Sequence, residues 1–148
     1  MIWKYFNELD VGEKFVTRGR TMTETDVIMF CMLTGNWLEL HSNIEYAKSS
    51  QFGQRLVQGS LAFSIIAGLV PTGTQGRILA FYGVDRLRFL KPVFIGDTLH
   101  AETEITDLQD KDEKSGVSTH QVSLINQRGE TVQVSIWKHL VAKKPEGA

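Results

Sequence analysis

The stretch from residue 59 to residue 71, Gly59-Ser60-Leu61-Ala62-Phe63-Ser64-Ile65-Ile66-Ala67-Gly68-Leu69-Val70-Pro71, decides how the rest of the chain must fold. Leu61 to Leu69 is apolar all round a helical projection and rich in small side chains; Gly59 and Ser60 open it and Pro71 closes it. A helix without a polar face has to be covered on several sides. Its small side chains permit close backbone approach, which suits a helix lying within the curve of a sheet. The chain that follows supplies the sheet. Ile78 to Phe89, Thr98 to Leu108, Val117 to Asn126 and Thr131 to Val141 alternate or are rich in β-branched and aromatic residues, which predicts four strands. Gly96-Asp97 marks one turn and Gln127-Arg128-Gly129-Glu130 a tight hairpin, while the charged stretch Lys111 to Gly116 reads as a flexible hairpin tip.

Working back toward the N-terminus, Thr23-Glu24-Thr25-Asp26 offers a capping hydroxyl followed by early carboxylates. Val27 to Leu33 is then apolar on every side and Gly35 supplies a stop, so a short, mostly buried helix is expected. A strand near Lys14 to Thr21 precedes it. Asn36 to Gln58 loses regular period and reads as a long loop with one helical turn at Ile44 to Lys48; long ordered loops are often functional. The order strand, helices, four strands predicts one α+β domain, residues 1–148, with an antiparallel sheet around a central apolar helix.

Composition narrows the function classes. The 148 residues contain 42% hydrophobic and 22% charged residues, ordinary globular values. Lys plus Arg number 16 against 17 Asp plus Glu, giving a formal charge of -1 and no global field to hold nucleic acid or an anionic membrane. Cys31 is the only cysteine, so neither an intrachain disulfide nor a clustered cysteine zinc site can form. The start MIWKYFNELDVGEKF lacks the features of a signal peptide, and the longest apolar run falls short of the ~20 residues a spanning helix needs. A cytoplasmic setting is expected. No phosphate loop, nucleophile elbow or metal-ligand spacing of histidines occurs, so no metal or nucleotide cofactor is implied.

Three segments, TETDVIMFCMLTGNWLELH, FGQRLVQGSL and FLKPVFIGDTL, resemble the MaoC-like family of (R)-specific enoyl-CoA hydratases, which have the hot dog fold. The resemblance covers most of the chain and implies that fold, at least a homodimer, and acyl-CoA thioester sites near the subunit interface, with coenzyme A present only as part of the substrate. Its most specific part is TGNWLELH, where the family carries Asp, any residue, Asn, Pro, any residue, His. Here Asn36 stands at the Asp position, Leu38 at the Asn, Glu39 at the Pro, and His41 retains the His. The family His-Gly-Met-Leu reads Gln58-Gly59-Ser60-Leu61, and the family serine deeper in that helix falls on Ala67.

Adding water to an enoyl thioester needs a base for the water, an acid for the α carbon, and stabilisation of enolate charge on the thioester oxygen. His41 exchanges protons near neutrality and is the acid/base candidate. Gly59 opens the apolar helix, so its N–H and the helix dipole suit an oxyanion donor, with Ser60 beside it. Asn36 cannot take a proton at neutral pH but can orient a water. Glu39, if the loop is extended there, projects to the same side as His41 and offers a carboxylate. Trp37 and Leu38 either narrow the acyl pocket or pack the loop on the core, with packing favoured. Arg88 and Lys91, with Arg86, form a basic stretch for coenzyme A phosphates. His100, His120 and His139 sit in strand patterns and read as surface or packing residues. Two rivals remain: a noncatalytic acyl-CoA-binding or regulatory module, which Asn36 and Ala67 favour, and a thioesterase using Glu39.

Overall fold

A computed structural model describes residues 4–70 and 77–145. Pro71, expected to close the central helix, lies outside the described residues. After a 3-10 turn at Phe6–Glu8 come β1 (Lys14–Val16), β2 (Arg20–Thr21), α1 (Glu24–Thr34), α2 (Glu39–Ser42), α3 (Ile44–Ser49), α4 (Gly59–Leu69), β3 (Ile78–Phe89), β4 (Thr98–Asp110), β5 (Ser115–Asn126) and β6 (Thr131–Ala142). The sheet is antiparallel in the order β1-β4-β5-β6-β3, with β2 also on β4. This is the hot dog arrangement, an α+β fold in which α4 lies on one face of the sheet.

The caps of α1 form as its sequence implies. Thr23 Oγ1 accepts from Asp26 N–H at 3.2 Å, while Asp26 Oδ2 accepts from Thr23 N–H at 2.8 Å. At the other end Gly35 takes a left-handed conformation, φ 72°, and its N–H closes on Cys31 O. α1 is less enclosed than its all-apolar sequence suggests: Val27 and Cys31 are buried, whereas Met29, Met32 and Leu33 are exposed. α4 likewise buries Leu61, Ala62 and Ile66 but leaves Ser60, Ser64 and Gly68 exposed along one stripe. The core between α4, α1 and the sheet holds Val27, Cys31, Leu61, Ile66, Leu99, Leu124 and Trp137.

Three local expectations are corrected. The strand near Lys14 to Thr21 is two short strands, because Thr17 leaves the ladder and uses its own N–H and hydroxyl to pair both Ala101 backbone groups. The stretch from Asn36 to Gln58 holds the expected helical turn as α3, which Asn43 starts by accepting from the N–H groups of Glu45 and Tyr46, but also a second short helix, α2, where a loop was expected. The Lys111 to Gly116 tip, expected to be flexible, is tied by Asp112, whose Oδ1 accepts from Lys114 N–H, Ser115 N–H and the Ser115 hydroxyl.

Candidate active site

His41 sits on α2, and its ring is aimed by the backbone. Nδ1 lies 2.9 Å from the Leu56 carbonyl oxygen. A carbonyl only accepts, so Nδ1 carries the proton of the neutral ring and Nε2 keeps its lone pair. Leu56 is itself held, its N–H donating to Leu40 O and its backbone bridging to Phe94. The acceptor nitrogen is therefore fixed by a short, closed circuit of main-chain bonds.

His41 lines a cavity of about 600 Å³ whose wall also includes Gly59, Ser60, Phe89, Lys91 and Gln133. Gly59 is the first residue of α4, where an N–H has no acceptor in its own helix and the helix dipole presents its positive end. A Cβ on Gly59 would stand 2.9 Å from the Phe89 ring, so the absence of a side chain lets this aromatic lie against the helix entrance. Behind Gly59, the buried Gln58 amide donates to Val27 O at 3.3 Å and Cys31 Sγ at 3.1 Å, tying the start of α4 to α1. An imidazole and an N–H at a helix start thus line one mostly apolar chamber.

The other residues singled out from the sequence fall elsewhere, with the exception of Ser60 and Lys91. Lys91 Nζ is paired with Glu130 at 2.7 Å. Asn36, Trp37 and Glu39 line a separate surface depression with Leu40 and Tyr46. Trp37 does not pack the loop on the core but is 50% exposed. Because α2 is helical, Glu39 and His41 point roughly 200° apart and do not share a side, as they would on an extended chain. Glu39 instead accepts from Asn43 Nδ2 at 3.1 Å. Arg88 is exposed and donates to Leu87 O.

Gln133 was missed by sequence reasoning, for an identifiable cause. In β6 the buried positions Gln133, Ser135, Trp137, His139 and Val141 alternate with partly exposed Val134, Ile136, Lys138 and Leu140, so three polar side chains face inward while three aliphatic ones do not. The polar set facing inward includes His139, which with His120 of β5 was read as surface or packing and is buried in the sheet face. Their rings lie 5.1 Å apart, and burial lowers both pKa values, His120 to about 3 with help from His139, and His139 to about 4. Both are neutral at physiological pH.

The hot dog sheet thus places a histidine and a helix-start N–H on the wall of one chamber. The chain belongs to the MaoC-like domain family, whose pattern matches residues 7–127. It is 31% identical over 108 residues to an (R)-specific enoyl-CoA hydratase of Rhodospirillum rubrum, covering 73% of this chain and 74% of that protein. It is 38% identical over 96 residues to protein MaoC of Klebsiella aerogenes, covering 65% of this chain and only 29% of that longer protein. Among solved structures, one described as a monoamine oxidase regulatory protein from Archaeoglobus superposes with a TM-score of 0.90 at 41% identity, covering 96% of each chain. Among the described residues no helix is long and apolar enough to cross a membrane.

Proposed function

We propose that the protein hydrates trans-2-enoyl-CoA thioesters, or dehydrates the corresponding (R)-3-hydroxyacyl-CoA, in the cavity shared by His41 and Gly59. The observation that carries this reading is the Nδ1 bond to Leu56 O, which leaves Nε2 as a base on the same wall as an unengaged helix-start position. His41 Nε2 takes a proton from water as the oxygen bonds to C3. The C2–C3 π electrons move toward C1 and the thioester oxygen gains negative charge, met by the Gly59 N–H and the dipole of α4. The proton then passes from Nε2 to C2, which restores the carbonyl. Dehydration runs the same steps backward. Lys91, Arg88 and Arg86 would meet coenzyme A phosphates. Asn36 stands outside the cavity, so the proton chemistry rests on His41 alone.

A homodimer is the expected partner state. It is supported by the resemblance and by β3, an edge strand on which Leu79, Tyr82 and Phe89 are more than half exposed. The rival reading, an acyl-CoA-binding or regulatory module without turnover, is favoured by Asn36 in place of a carboxylate and by the description of the 41% identical structure as a regulatory protein. One experiment separates them: loss of enoyl-thioester absorbance by wild type, His41→Ala and Asn36→Asp, with a free-thiol assay alongside. Turnover by wild type that His41→Ala abolishes supports the hydratase; thioester binding without turnover in any of the three supports the module; thiol release supports a thioesterase.

A further inference from the structure

Among the described residues, five buried side-chain atoms have no hydrogen-bond partner, and two of them are the amide nitrogen and oxygen of Gln133. Gln133 is 1% exposed and lines the His41 cavity. On the sheet it pairs with Leu124 of β5 and Phe89 of β3, the residue whose ring lies against Gly59. It therefore sits on the sheet face beneath the start of α4. Its neighbours Leu124 and Ala101 on that face are apolar, so packing alone calls for an aliphatic side chain here. An amide buried without partners destabilises a fold by about 1–3 kcal/mol. A buried polar group with no internal partner, on the wall of a chamber, is a group whose partner arrives from outside.

Both ends of the amide are open, which specifies the visitor. A carbonyl would use only the N–H donors and a cation only the oxygen. A hydroxyl or a water uses both, donating its proton to Oε1 and accepting from Nε2. We propose that Gln133 binds the hydroxyl of the 3-hydroxyacyl thioester and, in the opposite direction, the water that becomes it. This rests on the reading of the cavity as an enoyl-thioester site and assigns within it a contact to the reacting oxygen. Gln133 neither gains nor loses a proton. It holds one O–H while the other proton of the water is left for His41 Nε2, the orienting task for which Asn36 lies outside the cavity.

The test compares Gln133→Leu, which keeps most of the volume and removes the polarity, with the unsubstituted residue, both in a His41→Ala background so that no ligand is turned over. Calorimetry measures binding of (R)-3-hydroxybutyryl-CoA and of butyryl-CoA, which lacks the hydroxyl, and thermal unfolding is followed without ligand. Expected are a loss of roughly tenfold or more in affinity for the hydroxylated thioester, near-equal affinity for butyryl-CoA, and an unchanged or higher melting temperature. A lower melting temperature with parallel loss of both ligands would make the amide structural and overturn the proposal. Binding of both thioesters without selective loss overturns it too, while leaving the cavity reading intact. If the Gln133 form binds neither thioester, the cavity reading fails and the hydroxyl contact falls with it.

Discussion

Two polar regions of this molecule, both on the sheet, are built on opposite terms. At the β5–β6 hairpin, Asp97 is 4% exposed yet fully engaged: Phe94 N–H, the Gln127 amide and the Arg128 guanidinium all donate to it. Burial by itself would push the Asp97 carboxyl up, and these donors hold it below the usual carboxylate range. Beside it Glu130 accepts from Asn126, Lys91 and Arg128, which lower its pKa to about 2. The inward face of β6 is the contrary case. Gln133 and His139 are as deeply buried as Asp97, and neither side chain has a hydrogen-bond partner among the described residues. The His139 ring is packed against Phe81, His120 and Trp137, whereas the open amide of Gln133 borders a chamber.

The contrast can be broken from either side. The largest effect belongs to the chamber: His41→Ala is expected to lower kcat/KM by about 10²–10⁴-fold while the melting temperature stays near wild type, because only one main-chain contact is lost. Steady-state hydration kinetics with a calorimetric scan check this, and a large stability loss would show that His41 is structural. Next is the paired region. Asp97→Ala strands three donors and is expected to cost about 2–4 kcal/mol in denaturant unfolding, with little change in thioester affinity. Removing core volume gives a similar figure without selectivity; Ile66→Ala should cost about 2–5 kcal/mol.

A smaller effect comes from the buried histidines. Both folded-state pKa values lie below the ordinary 6.5, so from pH 6.5 down to about 4 for His139 and about 3 for His120 the unfolded chain binds more protons than the folded one. Their contribution is complete above pH 6.5 and is lost as pH falls through that window. The melting temperature should therefore decline from pH 7 to pH 5, and His139→Leu should flatten the decline; an unchanged slope would mean that other groups set it. Smallest of all is Asn36→Ala, expected to change kcat/KM less than tenfold because Asn36 does not line the chamber.

The fold was legible where local chemistry and tertiary need agree. The four long strands, the Thr23 and Gly35 ends of α1, and the placement of α4 against a sheet all follow from period, caps and composition. Legibility failed where a side chain answers to something not nearby in sequence. The helical turn at Ile44 to Lys48 was legible and is α3, whereas α2 was not, so the helical setting of His41 was hidden, and with it the direction of Glu39. Of the candidate residues, His41, Gly59, Ser60 and Lys91 share one chamber, while Asn36, Trp37, Glu39 and Arg88 do not. Gln133 was unreadable because the first half of its strand departs from the usual alternation, and the neighbouring Val134 and Ile136 are the residues a periodicity argument would turn inward.

β3 has one more consequence. Along its pairing with β6 the register slips three times, between Ile78 and Ala80, Phe81 and Gly83, and Asp85 and Arg88, and Arg86 at the last slip takes a positive φ of 52°. Each slip turns the strand and breaks the even spacing of its outward N–H and C=O groups. A long, regular edge would accept strand after strand from other molecules, the geometry of fibre growth. This edge is apolar enough to attract a neighbour yet too uneven to serve as a continuous template.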